Sequence, residues 1–473
     1  MRKLFTTIAL CVISLAGTAQ QAPDWQRTVD NCIACGEFAR AEQVMKQLPR
    51  RERKAQAVRI DSLRTIMERI RTDFNLTPAR GMELIRENMP QVTQAQVDHW
   101  KATHKLEVMT IDGQEWWFRK SVRNLWLLGD EFKQQNDAEK LATSATRRAY
   151  YLEAMHAPAD SNNVRDWRRI SVTFTLDVNA DAVPAGETLR VWMPFPFQNL
   201  RQRNITLDGG NRPVLLSHGS QHHTAYMEGV AEAGRPTHFE YSFSYDVGER
   251  HYTEPDLLAM LEPYDTSSEL YRRYTASDGR HMAITPAISA KAREIVGQEN
   301  NPVRQAIMLC RWIGRNLPWA GAREYSTLDS IPQYVLLNGH GDCGQVALLY
   351  IAMARSLGIP ARWESGWMLH PDEINYHDWA ETYFEGVGWV PTDPSFCRSA
   401  VDTPLNDYYA TGIDVYRLAS NEGVGDTFFP AKTYIRSETV DCQAGEVEWR
   451  GGNLYYDKWK SHLNVNSVEK LNK

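Results

Sequence analysis

The chain has 473 residues, 42% of them apolar and 24% charged, with 15 tryptophans and a net charge of -6. That length exceeds what one ordinary core fills, so roughly two to four domains are expected. The composition excludes a disordered chain. With no Lys- or Arg-rich block, a nucleic-acid or anionic-membrane role lacks its electrostatic footprint.

The N-terminus has the three parts of a secretory leader: Arg2 and Lys3, an apolar stretch from Leu4 to Ala16, then the small residues Gly17, Thr18 and Ala19. The apolar part is too short to span a bilayer stably. Residues 1–20 are therefore read as a signal peptide, and the mature chain as exported, periplasmic or extracellular, with no membrane span. Past Cys11 of the leader lie Cys32, Cys35, Cys310, Cys343, Cys397 and Cys442. That is no disulfide scaffold, although Cys32–Cys35 and Cys397–Cys442 are possible bridges in an exported chain.

Residues 21–160 read as a mainly helical domain. Ala57, Ile60, Leu63, Ile66 and Ile70 mark one helix face between Glu52 and Phe74. Thr77-Pro78 is a helix start, and Thr93 opens another helix. Asp112-Gly113 then joins two short strands as a hairpin. Helix, helix and hairpin resemble a winged-helix module, but on an exported acidic chain without a basic recognition helix a packing or interaction domain is expected.

From 165 to 255 the texture becomes that of a β-sandwich-like domain. Ile170–Leu176 and Tyr241–Tyr245 alternate apolar and polar, Leu189–Met193 reads as another strand, and turn clusters such as Asp208-Gly209-Gly210 fall between the runs. Residues 256–415 read as a further unit, opening with a helix over 302–317 in which Cys310 is a buried, apolar-type cysteine. Short alternating stretches in 416–473 are expected to complete the sheet of that unit.

The chemistry concentrates in one run. Gly341-Asp342-Cys343-Gly344 places a thiol at the start of an apolar helix that Gly358-Ile359-Pro360 stops. The helix dipole and free N–H groups there favour a thiolate, lowering its pKa by roughly one unit or more, and offer an oxyanion site. His377 lies in an alternating strand, Tyr376 to Phe384, and Gly386 to Val390 make a turn into another strand that ends at Thr392-Asp393-Pro394. Two adjacent antiparallel strands would set Asp393 beside His377 as its orienter. The order thiol, imidazole, carboxylate is that of a nucleophile, its base and the base's partner. Asp378 should point away from the His377 face. His340, Asp342, His370, Asp372 and His377 match no metal-ligand spacing, so neither metal nor cofactor is expected.

These residues resemble the transglutaminase-like superfamily, through Gly341–Gly344 with its helix, Gly358-Ile359-Pro360-Ala361-Arg362, His377-Asp378-Trp379-Ala380-Glu381 and Gly388–Pro394. The resemblance implies an α+β, papain-like core, a helix packed on an antiparallel sheet, preceded by the helical and β-sandwich-like domains. It implies Cys343 as nucleophile, His377 as base and then acid, and Asp393 as orienter. Trp319 is a candidate oxyanion donor beside the Cys343 N–H. Gly344 stands where animal transglutaminases carry tryptophan, which weakens a cross-linking reading. The expectation is a thiol hydrolase acting through a thioester on a protein, peptide or peptidoglycan-type amide. Protein-glutamine acyl transfer and a catalytically idle glycan- or protein-binding module are the alternatives.

Overall fold

The structure is a computed structural model that describes residues 23–128, 157–217, 221–397 and 408–471. The leader reading falls outside the described residues, as does the end of the helical stretch. The chain divides into two compact units, one made of residues up to 64 with 110–115, the other of 65–109 with 116 onward.

The N-terminal helices follow their local signals. The predicted 52–74 helix is divided into Arg50–Ala55 and Ala57–Asp73, the first ending at Gln56. Thr77 caps the Pro78–Asn88 helix by accepting from the Arg80 N–H, and Thr93 forms a reciprocal capping box with Gln96. The hairpin forms as expected: β1 (Val108–Ile111) and β2 (Gln114–Trp117) join through Asp112 and Gly113 at φ 49° and 85°.

The sandwich is built from β3 (Val164–Val178), β4 (Thr188–Pro194), β5 (Gln202–Gly210), β6 (Leu215–Leu216), β7 (Thr224–Val230) and β8 (Thr237–His251). Asp208-Gly209-Gly210 is not a turn but the end of β5, where the register against β8 shifts between Leu207 and Gly209. A glycine pair in a strand marks such a bulge as readily as a turn.

The remaining strands are β9 (Ala361–His370), β10 (Glu373–Phe384), β11 (Gly388–Thr392), β12 (Gly412–Ile413), β13 (Arg417–Glu422), β14 (Glu446–Trp449), β15 (Gly452–Leu454) and β16 (Trp459–Lys470). One sandwich sheet runs β12-β8-β3-β16 with β5 also on β8, and the other runs β15-β14-β4-β7-β6. Their inner faces close on Val172, Phe174, Val191, Met193, Met227 and Phe243. The expectation that 416–473 completes the sheet of the 256–415 unit is therefore corrected. Only β13 does so, while β14 pairs with β4 and β16 runs along β3. The long alternating edge of β3 takes the C-terminal strand, so the sandwich needs residues far outside 165–255.

The third large sheet has the order β11-β10-β9-β13 and is antiparallel throughout. The helix Cys343–Ser356 packs on it, buried along most of its length, and Tyr350 Oη lies 2.7 Å from Thr382 Oγ1 of β10. Helices Pro286–Val296, Pro302–Asn316 and Ile331–Asn338 cover its other sides. This is the expected α+β core. Cys310 is buried as predicted, but it forms a disulfide with Cys397. Cys442 remains a free buried thiol, and Cys32 and Cys35 are free as well. Bridge partners 87 residues apart meet only once the helix and the end of β11 have packed together.

Candidate active site

Cys343 is the first residue of its helix, and Asp342 is the N-cap, accepting from Gln345 N–H at 3.0 Å while Gln345 Oε1 accepts from the Asp342 N–H. Trp319 pairs by its backbone with Gly341, and the Gly341 N–H donates to the Pro318 carbonyl at 3.3 Å. The segment bearing Trp319 thus lies against the approach to the cysteine, with its indole 40% exposed.

His377 and Asp393 meet as the strand pairing requires. With β10 and β11 antiparallel, Ala380 faces Thr392, and Asp393 follows at the strand end. His377 Nε2 lies 2.7 Å from Asp393 Oδ2. Asp393 Oδ1 accepts from Ser395 Oγ at 2.8 Å, and Arg417 Nη2 donates to Oδ2 at 3.3 Å. Burial opposes ionisation of Asp393, but the charge and hydrogen bond of His377, with Arg417, hold its carboxyl below the usual range. Nε2 being occupied, Nδ1 is the imidazole nitrogen left to exchange a proton with a substrate or a thiol.

The thiol itself faces another group. Cys343 Sγ donates to Asp378 Oδ2 at 3.3 Å, and among the described residues no hydrogen bond joins Cys343 to His377. Strand alternation explains this. Ala380 lies in the core of the cysteine helix and Thr382 bonds that helix, so Asp378, at the same parity, faces it too. Trp379 packs with Phe197, Ile413 and Ala419, and the His377 ring stacks near Trp379 and meets Phe396 edge-on. His377 and Asp378 do point to opposite faces, as the sequence implies, but it is Asp378 that meets the thiol. His377 remains within electrostatic reach of Asp342 at the helix start.

The expected lowering of the thiol pKa is also corrected. Burial, followed by the carboxylates of Asp378 and Asp342, pushes the Cys343 thiol well above its ordinary value. Desolvation and two acidic neighbours outweigh a helix terminus that supplies only about half a charge. Asp378 is hydrogen-bonded to Asp441. Burial first, then Asp441 and Asp342, raise the Asp378 carboxyl well above the usual range, while Asp441 is pushed up to about 6, chiefly by burial. Gln443 Nε2 ties both neighbours down, donating to the His377 carbonyl at 2.9 Å and to Asp378 Oδ1 at 2.6 Å.

Gly344 is a packing requirement. A Cβ there would stand 2.3 Å from Tyr325 Oη, 2.7 Å from Asp378 Oδ2 and 2.9 Å from Trp363 Cη2. No tryptophan side chain fits that position. The other histidines of the run are engaged elsewhere: His340 Nε2 lies 3.1 Å from the His104 carbonyl, and His370 Nε2 lies 3.3 Å from Asp414 Oδ2.

Residues 289–394, which carry Cys343, His377, Asp378 and Asp393, match the family model of the transglutaminase-like superfamily. The chain contains a transglutaminase-like domain. An uncharacterised protein of Haemophilus influenzae is 24% identical over 256 residues, 47% of this chain and 67% of that protein. Among solved structures, a candidate cysteine protease from Cytophaga hutchinsonii is similar at 16% identity, covering 65% of this chain and 91% of that one, with a TM-score of 0.44. The periplasmic domain of TgpA from Pseudomonas aeruginosa is similar at 14% identity, covering 48% and 88%, with a TM-score of 0.25. Asp378 precedes the tryptophan of the transglutaminase-like His377-Asp378-Trp379 block, so its contact with the thiol was hidden by its sequence position beside the histidine. Arg417, Asp441 and Gln443 lie beyond the matched residues and carried no sequence signal at all.

Proposed function

We propose that the transglutaminase-like domain is a thiol hydrolase that cleaves an amide or peptide bond through a thioester on Cys343, in an exported protein. The observation that carries this reading is the 2.7 Å contact between His377 and Asp393, beside a helix that begins with a cysteine. Cys343 Sγ gives its proton to His377 Nδ1 and attacks the carbonyl carbon. The N–H groups at the helix start, the Cys343 N–H among them, and the Trp319 indole stabilise the oxyanion. The C–N bond breaks as His377 returns the proton to the amine. Water, deprotonated by His377, then releases the acid and restores the thiol. Asp393 holds the imidazole tautomer throughout.

The substrate class is a protein, peptide or peptidoglycan-type amide. With an amine in place of water, the same steps give acyl transfer. The domain arrangement we propose is a helical region over 21–160, a sandwich seeded by 165–255 and the catalytic unit over 256–415. The test is to incubate the mature chain with peptide and cell-wall amide libraries, with and without a primary amine. Hydrolysis that disappears in Cys343→Ala supports the reading; equal turnover by that variant overturns it.

A further inference from the structure

We propose that Asp378 is a positioning residue that holds the Cys343 proton in the resting site and competes with His377 for the thiol. The role deepens the reading of Cys343 as a nucleophile and rests on it for its purpose. Three observations converge on this carboxyl. Its Oδ2 accepts the thiol proton at 3.3 Å, and its Oδ1 is fixed by Gln443 at 2.6 Å. It is also paired by a hydrogen bond with Asp441. Gly344 supplies the room, since any Cβ there would press within 2.7 Å of the accepting oxygen.

The surroundings are one-sided in charge. From the helix start, Asp342 and Cys343 face Asp378; from the short helix at Tyr325–Thr327 the Tyr325 hydroxyl approaches, bonded to Asp342; from the segment before β14 come Asp441 and Gln443. Arg436 bonds the Asp441 carbonyl and its charge acts on the Asp441 carboxyl. His377, on the same strand, turns to Asp393. Among the described residues no Lys or Arg pairs with Asp378. The Asp378–Asp441 pair, sharing one proton, still carries a negative charge beside the thiol, so the S–H form is the favoured one, because a thiolate would add a like charge in a desolvated site.

The test measures alkylation of Cys343 by iodoacetamide against pH in the full chain, read by mass spectrometry of the Cys343 peptide, so it is independent of turnover. In the unaltered protein the midpoint should lie above that of an ordinary cysteine, about pH 8.5. In Asp378→Asn it should fall by about one unit or more, raising the rate at neutral pH about tenfold. Asp378→Ser, which removes the same charge without an amide, should shift it the same way. A midpoint at or below that of an ordinary cysteine in the unaltered chain overturns the proposal. So does an unchanged midpoint in a folded Asp378 variant. Burial alone would also raise the midpoint of the unaltered chain, so the variants carry the decision, and either one, once folded, is enough. Loss of the hydrolase reading would show separately, as amide turnover indifferent to Cys343→Ala.

Discussion

His377 and Asp378 are neighbours on β10 and serve opposite faces of its sheet: the imidazole reaches Asp393 at 2.7 Å, and the carboxyl accepts from the Cys343 thiol at 3.3 Å. A one-residue step in a strand thus separates an acid–base pair from the group that holds the nucleophile's proton. The two side chains should respond differently to mutation. His377→Ala should reduce amide hydrolysis by about 10²–10⁴-fold, the usual contribution of a general acid–base, while leaving Cys343 open to alkylation. Steady-state kinetics alongside alkylation would check this, and unchanged turnover would remove His377 from the mechanism.

Arg417 is wholly buried between Asp393 and Asp414, at 3.3 and 2.9 Å. Its guanidinium also lies over the Phe396 ring, 4.4 Å from the centroid. Arg417→Met should destabilise the fold by about 3–5 kcal/mol, since it leaves two buried carboxylates without their cation. Urea unfolding monitored by tryptophan fluorescence measures the loss; a change under about 1 kcal/mol would mean the carboxylates find other partners.

The buried acids divide into two groups with opposite pH signs. Asp393 and Asp414 are held below the usual carboxylate range, so their contribution is complete above about pH 4, the unfolded value, and is lost as pH falls toward their folded pKa. Asp441, raised to about 6, and Asp378, also raised, favour the fold fully below about pH 4, the unfolded value, and cost stability from there until pH has risen through their folded values. From these groups, stability should peak near pH 4 and decline between about pH 4 and 6. Asp441→Asn should flatten the decline on the alkaline side in thermal melts; an identical decline in the variant would contradict the assignment.

Gly344→Ala should disturb the site from within. The added methyl would meet Tyr325 Oη at 2.3 Å and Asp378 Oδ2 at 2.7 Å. Overpacking of this kind costs about 1–3 kcal/mol, and displacement of either oxygen should change the alkylation profile of Cys343. Full stability with an unaltered profile would show that the neighbours move aside freely.

The Cys310–Cys397 disulfide ties the helix Pro302–Asn316 to the turn that follows Asp393, where the Cys397 N–H donates to the Asp393 carbonyl at 3.2 Å. Replacing both cysteines with serine should lower stability by about 2–4 kcal/mol and weaken turnover by loosening Asp393. Denaturant titration and kinetics on the double variant would check both; a stable variant with normal turnover would leave the bridge without a role at the site.

Much of this was readable residue by residue. Helix starts at Thr77, Thr93 and Asp342 depend on a side chain reaching a backbone N–H a few positions away, so the local sequence contains the whole interaction. The pairing of His377 with Asp393 was readable because one short hairpin fixes the register of β10 against β11. The destination of the C-terminal strands was not readable, because alternation says which face is apolar and not which sheet will receive it. The bulge at Asp208 has the same origin: glycine is permissive, and a turn and an irregular strand draw on the same freedom.

The sequence alone determined that a thiol would begin a buried helix, that an imidazole and a carboxylate would sit on adjoining strands, and that the core would be α+β. Each follows from periodicity, capping and chain order, which act over a few residues. Only the tertiary structure decided which neighbour of β10 faces the thiol and which cysteine meets Cys310. It also decided the sign of the thiol's pKa shift. That sign depends on desolvation and on charges contributed by Asp378 and Asp342 once packed. Such charges act through space, and their distances do not exist until the chain has folded.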